Sequence, residues 1–256
     1  MTEEQWDFFC SFRKELKNKI AEWALYAPEL TELQKKAAEM TNTPEYSFET
    51  SVVYNKALDD LTQLDEIKLI VIGDNPGKDE QLEKNNRYLV GQAGKIAEGY
   101  FCKNKELNID FRKNVIILNK TPVHSAKTTQ LKAIMKDKEA SELILESQLW
   151  MAEKTAQLLL DYNSGNEKKA EIWLVGYSEL KAKGIFEPYR LKLYERLSDT
   201  SEWNKVYVFQ HFSMNRFIID LKNYIIADNS AHIPLIESIH RLGNTHKREI
   251  FNSSDN

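Results

Sequence analysis

Four polar side chains that could perform catalysis or recognition are spread along the sequence: Asp74, Asn75, Asn119 and His211. A carboxylate such as Asp74 can stabilise a positive charge or accept a proton. An imidazole such as His211 can donate a hydrogen bond to developing negative charge, and an amide presents both a donor and an acceptor. Each residue alone is more often a turn cap or a structural polar group, so their meaning depends on whether the fold brings them together.

These side chains lie at the ends of short apolar runs that are rich in β-branched or aromatic residues, as strands buried on both faces are. The runs are IKLIVIG (67–73), NVIILN (114–119), EIWLVGY (171–177) and KVYVFQH (205–211). Helical patterns occur over 93–101, 141–162, 178–197 and 215–226. This alternation predicts a three-layer α/β/α fold around a central four-stranded parallel sheet. The carboxyl ends of parallel strands share one rim, where ligands bind in such folds.

The segments that flank this alternation are interpreted as accessory. An apolar stripe at helical spacing runs from Trp6 to Trp23 and is interrupted at Pro28, and two further helices are predicted over 31–40 and 48–64. The predicted organisation is an N-terminal helical extension packed on the core over 1–64, an α/β domain over 65–226 and a polar, fraying C-terminal tail over 227–256.

Composition limits the class of protein. The 256 residues are 42% apolar and carry a net charge of -4, which indicates a globular chain without a global basic signature. The two cysteines, Cys10 and Cys102, can build neither a disulfide framework nor a four-thiolate cluster. The N-terminus does not resemble a signal peptide, and no apolar run approaches the ~20 residues that a membrane span needs. We therefore expect a soluble, cytoplasmic protein.

One stretch is locally basic. Between residues 111 and 136 there is no acidic residue, and short hydroxyl side chains suited to phosphate oxygens accompany the cations. The cations are Arg112, Lys113, Lys120, Lys127, Lys132 and Lys136. The stretch indicates either a contact to a nucleic-acid backbone or an ordinary solvated loop and helix face.

Four segments resemble the motifs of the uracil-DNA glycosylase superfamily, in the same order along the chain. GDNPG (73–77) resembles the first motif, and YLVGQAG (88–94) resembles the Phe-Val-Gly-x-Ala-Gly segment of members that carry an iron–sulfur cluster. VIILN (115–119) resembles the strand whose terminal Asn reads the uracil edge, and HFS (211–213) resembles the His-Pro-Ser motif of the DNA-intercalating loop. The resemblance covers about residues 67–226.

The resemblance implies a role for each matching residue. Asp74 would stabilise the cationic sugar and orient the attacking water, Asn75 would hold that water instead or contact the base, and His211 would donate to the uracil oxygen. We favour Asp74 for the water, because a carboxylate can also accept its proton. The implied base-binding residues are Asn119, Tyr88, Leu89 and Gly73. With the basic stretch included, the predicted DNA-backbone contacts are Gly77, Lys120, His124, Ser125, Lys127, Ser213 and Arg216.

The chain departs from the superfamily at three places. Two cysteines cannot hold the iron–sulfur cluster, Phe212 replaces the proline of His-Pro-Ser, and Leu89 replaces the expected stacking Phe, with Tyr88 beside it. The chain is therefore interpreted as a divergent member without the cluster, and its chemistry needs neither a metal nor a cofactor.

The resulting prediction is a monofunctional DNA repair glycosylase that flips out uracil, or a related deaminated base, and hydrolyses its N-glycosidic bond. Its partner would be damaged DNA, and we expect a monomer. Three alternatives stay open: a non-catalytic nucleic-acid binder on the same fold, an α/β enzyme acting on a nucleotide or small phosphate compound, and an interaction protein with a vestigial cleft. The sequence contains none of the GxGxxG, GxxxxGK[ST] or GxSxG patterns that would support the α/β enzyme.

Overall fold

The computed structural model describes residues 1–26, 29–165, 169–228 and 232–251, and a parallel sheet lies at its centre. The strands are β1 (Leu69–Gly73), β2 (Val115–Asn119), β3 (Glu171–Val175) and β4 (Val206–Phe209). All three strand pairings are parallel, in the order β2-β1-β3-β4. The predicted three-layer α/β/α fold with a four-stranded parallel sheet is therefore confirmed.

The described residues contain eight α-helices. They are α1 (Glu3–Tyr26), α2 (Leu30–Met40), α3 (Gln92–Lys103), α4 (Leu131–Ile134), α5 (Lys138–Asn163), α6 (Glu187–Leu197), α7 (Arg216–Ala227) and α8 (Leu235–Phe251). The helix predicted from residue 178 begins only at Glu187, where Pro188 suits the first turn, after a 3₁₀ turn at Tyr177–Leu180. Pro28 lies outside the described residues. No helix in the described part is long and apolar enough to cross a bilayer.

The two faces of the sheet are both buried, which explains why its strands are almost continuously apolar. Ile70 and Ile72 of β1 pack into a core with α1, α5 and α6. Leu69 and Val71, which point to the opposite face, pack into a second core with α3, α7 and α8. Because the cores enclose the strands from both sides, the open ends of the sheet are left for a ligand.

The helix predicted over 48–64 is wrong. This segment is largely extended: Val52 forms an antiparallel bridge with Val123, and the N–H of Val53 donates to Pro122 O. Only a short 3₁₀ turn forms at Lys56–Asp59. The backbone N–H groups of Glu49 and Thr50 donate to the side chain of Gln81 at 2.7 and 3.1 Å. Non-local partners thus replace the hydrogen bonds that a helix would have made.

The fraying tail predicted over 227–256 is also wrong for most of its length, because α8 lies along β4. Ile239 packs into the second core and Ile250 into the first, so that the helix spans both faces and covers the edge strand. The apolar residues recur at helical spacing inside a polar sequence, and that stripe holds the helix in place. Residues 229–231 and 252–256 lie outside the described residues.

The contact between α8 and β4 requires a glycine. A Cβ at Gly243 would lie 2.7 Å from both Tyr207 Cβ and Phe209 Cζ, whereas a Cβ at Gly99 in α3 would meet nothing within 4 Å. We therefore expect Gly243→Ala to lower the free energy of unfolding by about 1–3 kcal/mol through overpacking. Gly99→Ala is the matched control and should be neutral or stabilising by up to ~1 kcal/mol. Urea denaturation measures both, and equal effects would contradict this packing.

Candidate functional site

A cleft of about 570 Å³ opens at the carboxyl ends of the strands. Asp74 follows β1, Asn119 ends β2, Gly176 follows β3 and His211 follows β4, and all four line this cleft. The first turn of α3, the loop over 125–129 and Arg216 at the start of α7 complete its walls. The rim predicted from the strand ends is thus present.

A buried ion pair forms the base of the cleft. Lys120 has no exposed side-chain surface, and its Nζ donates to Asp74 Oδ1 at 2.6 Å, to Val175 O at 2.6 Å and to Gly73 O at 3.2 Å. The side chain of Asp74 is 12% exposed. Burial lowers the pKa of Lys120, and the neighbouring Asp74 carboxylate opposes that shift. The contact to a DNA backbone predicted for Lys120 is wrong, because the ammonium is enclosed by protein acceptors.

Two glycines make room for the polar side chains above the sheet. A Cβ at Gly176, whose φ is +99°, would lie 2.2 Å from Asp74 Oδ1. A Cβ at Gly73 would lie 2.4 Å from Asn119 Oδ1, because these two residues are register partners in β1 and β2. Gly73 is buried and absent from the cleft lining, so it packs beneath Asn119 and does not reach a base itself.

Asp74 and Asn75 have different surroundings. Asn75 Nδ2 donates to Ser125 Oγ at 2.9 Å, to Ser125 O at 3.0 Å and to Pro76 O at 3.2 Å, which fixes its amide within the loops. Asp74 Oδ2 accepts a long hydrogen bond of 3.4 Å from Thr128 Oγ1. The carboxylate therefore keeps one oxygen that is weakly engaged and faces a cleft residue, while the amide donor of Asn75 is fully used.

Asn119 presents an unused donor. Its side chain is buried, and Nδ2 has no hydrogen-bond partner among the described residues. A buried donor without an acceptor costs about 1–3 kcal/mol. Since the residue lines the cleft, an acceptor on a bound ligand would satisfy it.

The position of the proton on His211 follows from its neighbours. Nδ1 accepts from the backbone N–H of Ser213 at 3.1 Å, so the neutral ring carries its proton on Nε2. Burial lowers the pKa of His211, Asp74 opposes the shift, and Lys120 and Arg216 add to it. At neutral pH the ring is therefore an uncharged donor at the wall of the cleft.

The aromatic wall expected from Tyr88 is absent. Tyr88 is buried in the second core and its hydroxyl donates to Val53 O at 2.6 Å, whereas Leu89 lines the cleft. Leu89 adopts a φ of +50° and approaches α3 closely, since a Cβ at Gly94 would lie 1.6 Å from Leu89 O. Among the described lining residues there is no Phe, Tyr or Trp. Gly94, the glycine of the YLVGQAG segment that lies in α3, thus makes room for the backbone of Leu89.

The DNA-backbone contact predicted for His124 is also wrong. His124 is fully buried, with Nδ1 2.8 Å from Pro76 O and Nε2 2.9 Å from Tyr46 Oη, and burial lowers its pKa to about 4. Ser125 is buried and donates to Lys127 O at 3.0 Å. The remaining predicted contacts line the cleft, namely Gly77, Ser125, Lys127, Ser213 and Arg216. The buried residues instead hold the loop that follows β2.

Glu80 was not predicted from the sequence, yet it joins two cleft segments. Its Oε2 accepts from the N–H of Gly77 at 3.1 Å and its Oε1 accepts from the N–H of Leu89 at 2.9 Å. Burial raises the pKa of Glu80 to about 7, against the lowering effect of these two hydrogen bonds. The sequence contains one signal for this role: Glu80 stands three residues after the Pro-Gly turn, a spacing that suits a side chain capping the turn.

Comparison of the chain with protein-family models, curated proteins and solved structures found no match. The resemblance to the uracil-DNA glycosylase superfamily therefore stays a prediction from the four motifs. A search of the described residues for metal sites found no cluster of three or more His, Cys, Asp or Glu side chains.

The ion pair gives the first prediction for the site. Removing one partner leaves an uncompensated buried charge, so Lys120→Met should lower the free energy of unfolding by about 3–5 kcal/mol. The double variant with Asp74→Asn should lose less than the sum of the single variants, with a coupling of at least ~1 kcal/mol. Urea denaturation of the four proteins measures the cycle. Lys19→Met, which removes surface ion pairs with Glu22 and Glu146, is the control and should cost no more than ~1 kcal/mol. Additive losses at residues 74 and 120 would contradict the pairing.

Glu80 gives the second prediction. Its pKa is about 7 in the folded protein against an ordinary value of 4.5, so the unfolded chain releases the proton first as pH rises. The titration of Glu80 should therefore lower the free energy of unfolding by about 3 kcal/mol as pH rises from ~4.5 to ~7. Glu80→Gln should remove that part of the pH dependence, while Glu83→Gln on the exposed surface should retain it. Denaturation at pH 4.5, 6 and 8 measures the difference, and a variant curve parallel to that of the wild type would contradict it.

Proposed function

We propose that this protein is a DNA glycosylase that takes uracil, or a related deaminated base, out of the DNA stack and hydrolyses its N-glycosidic bond. The observation that supports this most is the convergence of Asp74, Asn119 and His211 on one cleft. Such an enzyme needs a pocket for an extruded base, because duplex packing hides the bond that breaks. The cleft offers a carboxylate and two neutral donors to whatever enters it.

Base recognition would rest on Asn119. Its unpartnered Nδ2 would donate to uracil O4, and its Oδ1 would accept from uracil N3–H. Cytosine presents the opposite donor and acceptor at these positions, so a fixed amide would leave buried groups unpaired and reject it. The amide packs against Gly73, its register partner in β1.

Hydrolysis would rest on Asp74 and His211. As the bond breaks, positive charge develops on the sugar and negative charge on the departing uracil. Asp74 would orient the water through Oδ2, because Oδ1 is engaged by Lys120. His211 would donate from Nε2 to the uracil oxygen that gains charge, and its lowered pKa keeps it neutral and suited to that donation.

DNA would be held at the mouth of the cleft. Lys78, Lys127 and Arg216 are exposed cations of the lining and would contact phosphates. Next to them, Met214 is 66% exposed, and Met214 and Asn215 have φ values of +54° and +57°. Consecutive left-handed conformations in non-glycine residues are costly and often mark a functional loop. Met214 would fill the space that the extruded base leaves, as apolar wedges do in other DNA-bending proteins.

A second candidate function is a non-catalytic binder of damaged DNA on this same cleft. Two observations favour it: the ammonium of Lys120 offsets the charge of Asp74, and the described lining offers a base no Phe, Tyr or Trp side chain to stack on. Under that alternative the protein would retain uracil-containing DNA without releasing the base.

The test of the first candidate is an abasic-site assay on labelled oligonucleotides that carry U opposite G, U opposite A, single-stranded U, T opposite G, or hypoxanthine. We expect alkali-labile product from at least one uracil substrate. Asp74→Asn and His211→Ala should each lower the single-turnover rate by about 10²–10⁴-fold, because each removes a group that acts on developing charge or on the proton.

Asp7→Asn and His232→Ala change exposed residues outside the cleft lining and are the matched controls, with rates expected within twofold of the wild type. No product from any substrate at enzyme excess would overturn the enzymatic proposal. Retained affinity for uracil-containing DNA in that case would support the non-catalytic binder.

Met214 gives a further prediction. Met214→Ala should lower kcat/KM on duplex uracil by about tenfold or more, because extrusion from a duplex costs a few kcal/mol that a wedge offsets. The rate on single-stranded uracil should change by less than twofold, since no stack has to be opened. Met40→Ala is the control, because Met40 is 69% exposed in α2 and does not line the cleft. Equal losses on both substrates would contradict the wedge role.

A further inference from the structure

A second concave pocket of about 570 Å³ lies beside the amino end of β4, at the opposite end of that strand from the cleft. It is formed by residues just before β4, by the end of α7 and by one face of α8. The lining residues are Trp203, Asn204, Tyr224, Arg241, Asn244, Lys247 and Arg248. Three of these are cations and none is acidic, although the chain as a whole carries a net charge of -4.

Lys247 is the most unusual group of this pocket. The residue is 8% exposed, its Nζ donates to Trp203 O, and the ammonium lies 4.1 Å from the centre of the Trp203 ring. It forms no ion pair with any carboxylate of the described residues, and burial lowers its pKa to about 8. A buried cation without a counter-charge is costly, and a bound anion would remove that cost.

Arg248 supplies a second charge without a carboxylate partner. Within the described part of the chain, its only hydrogen bond is from Nε to Asn244 O at 3.4 Å. Arg241 differs, because it pairs with Glu237 at 2.6 Å and with Asp228 at 3.5 Å. The pocket therefore has two unbalanced positive charges, from Lys247 and Arg248.

The helix dipole alone does not account for this arrangement. A cation in the last turn of a helix is favoured by the exposed carbonyl groups there, which explains an exposed residue such as Arg248. Lys247 instead extends away from α8 to the Trp203 carbonyl, where it is desolvated. Its burial in a concave, acid-free pocket indicates a site for an anion.

We propose that this pocket binds a phosphate group, with Lys247 and Arg248 as its charged ligands and the Asn204 and Asn244 amides as neutral donors. The guanidinium fork of Arg248 matches the geometry of phosphate oxygens. The phosphate belongs to a mononucleotide or to a nucleic-acid backbone, since the partly exposed ring of Tyr224 forms a wall beside the cations. The site is independent of the function proposed for the cleft.

The test is a titration of the ¹⁵N-labelled full chain at constant ionic strength and pH 7, followed by heteronuclear NMR. The probes are inorganic phosphate, deoxyadenosine 5′-monophosphate and a short single-stranded oligonucleotide. We expect saturable shifts at the side-chain amides of Asn204 and Asn244 and at the Trp203 indole. Arg248→Gln, an exposed substitution that should fold, should weaken phosphate binding at least tenfold, and the exposed control Lys14→Gln should leave it within twofold.

Tighter binding of the mononucleotide would identify a small phosphorylated ligand, and tighter binding of the oligonucleotide would identify a backbone phosphate; both support the site. Three results would overturn the proposal: absence of saturable shifts, unchanged affinity in Arg248→Gln, or shifts confined to the Asn75 and Asn119 amides. The last would place the anion in the cleft instead.

Discussion

The buried ammonium of Lys120 is the interaction on which the rest of the site depends. It lies where three strands end, and it joins the carboxylate that follows β1 to the last carbonyl groups of β1 and β3. A desolvated cation is stable there only while every acceptor stays in place, so the strand ends and Asp74 are fixed together. Gly176 makes this possible, because any larger residue would collide with the Asp74 carboxylate.

This constraint shapes what the cleft offers a ligand. Lys120 is hydrogen-bonded to Asp74 Oδ1 and leaves Oδ2 toward the cavity. Gly73 lets Asn119 pack against β1 with its Nδ2 donor unused. The backbone N–H of Ser213 fixes the tautomer of His211. Asp74, Asn119 and His211, which carry one carboxylate and two neutral N–H donors, therefore line a single cleft. A heterocycle with carbonyl oxygens complements the donors, and a water beside it complements the carboxylate, which is the basis of the proposed glycosylase chemistry.

The sequence made the sheet and its rim predictable because buried parallel strands carry a strong local signal, and Asp74, Asn119 and His211 all lie at strand ends. Burial of individual polar residues had no such signal. The sequence predicted Lys120 and His124 to be exposed partners for phosphate. Instead, Lys120 is enclosed through Val175 O of β3, and His124 through Tyr46 Oη and Pro76 O. Segment 48–64 is extended because tertiary hydrogen bonds outweigh its local helix propensity. In α8, a sparse apolar stripe in a polar sequence is enough to hold the helix on the core.

Base recognition by the cleft is measured most directly by the side-chain amide signal of Asn119 in ¹⁵N-labelled protein, titrated with free uracil and, separately, with cytosine. The signal reports on base recognition whether or not the protein turns over. We expect a saturable shift of the Asn119 Nδ2 resonance with uracil and none with cytosine at the same concentrations. No shift with uracil, or equal shifts with both bases, would contradict it.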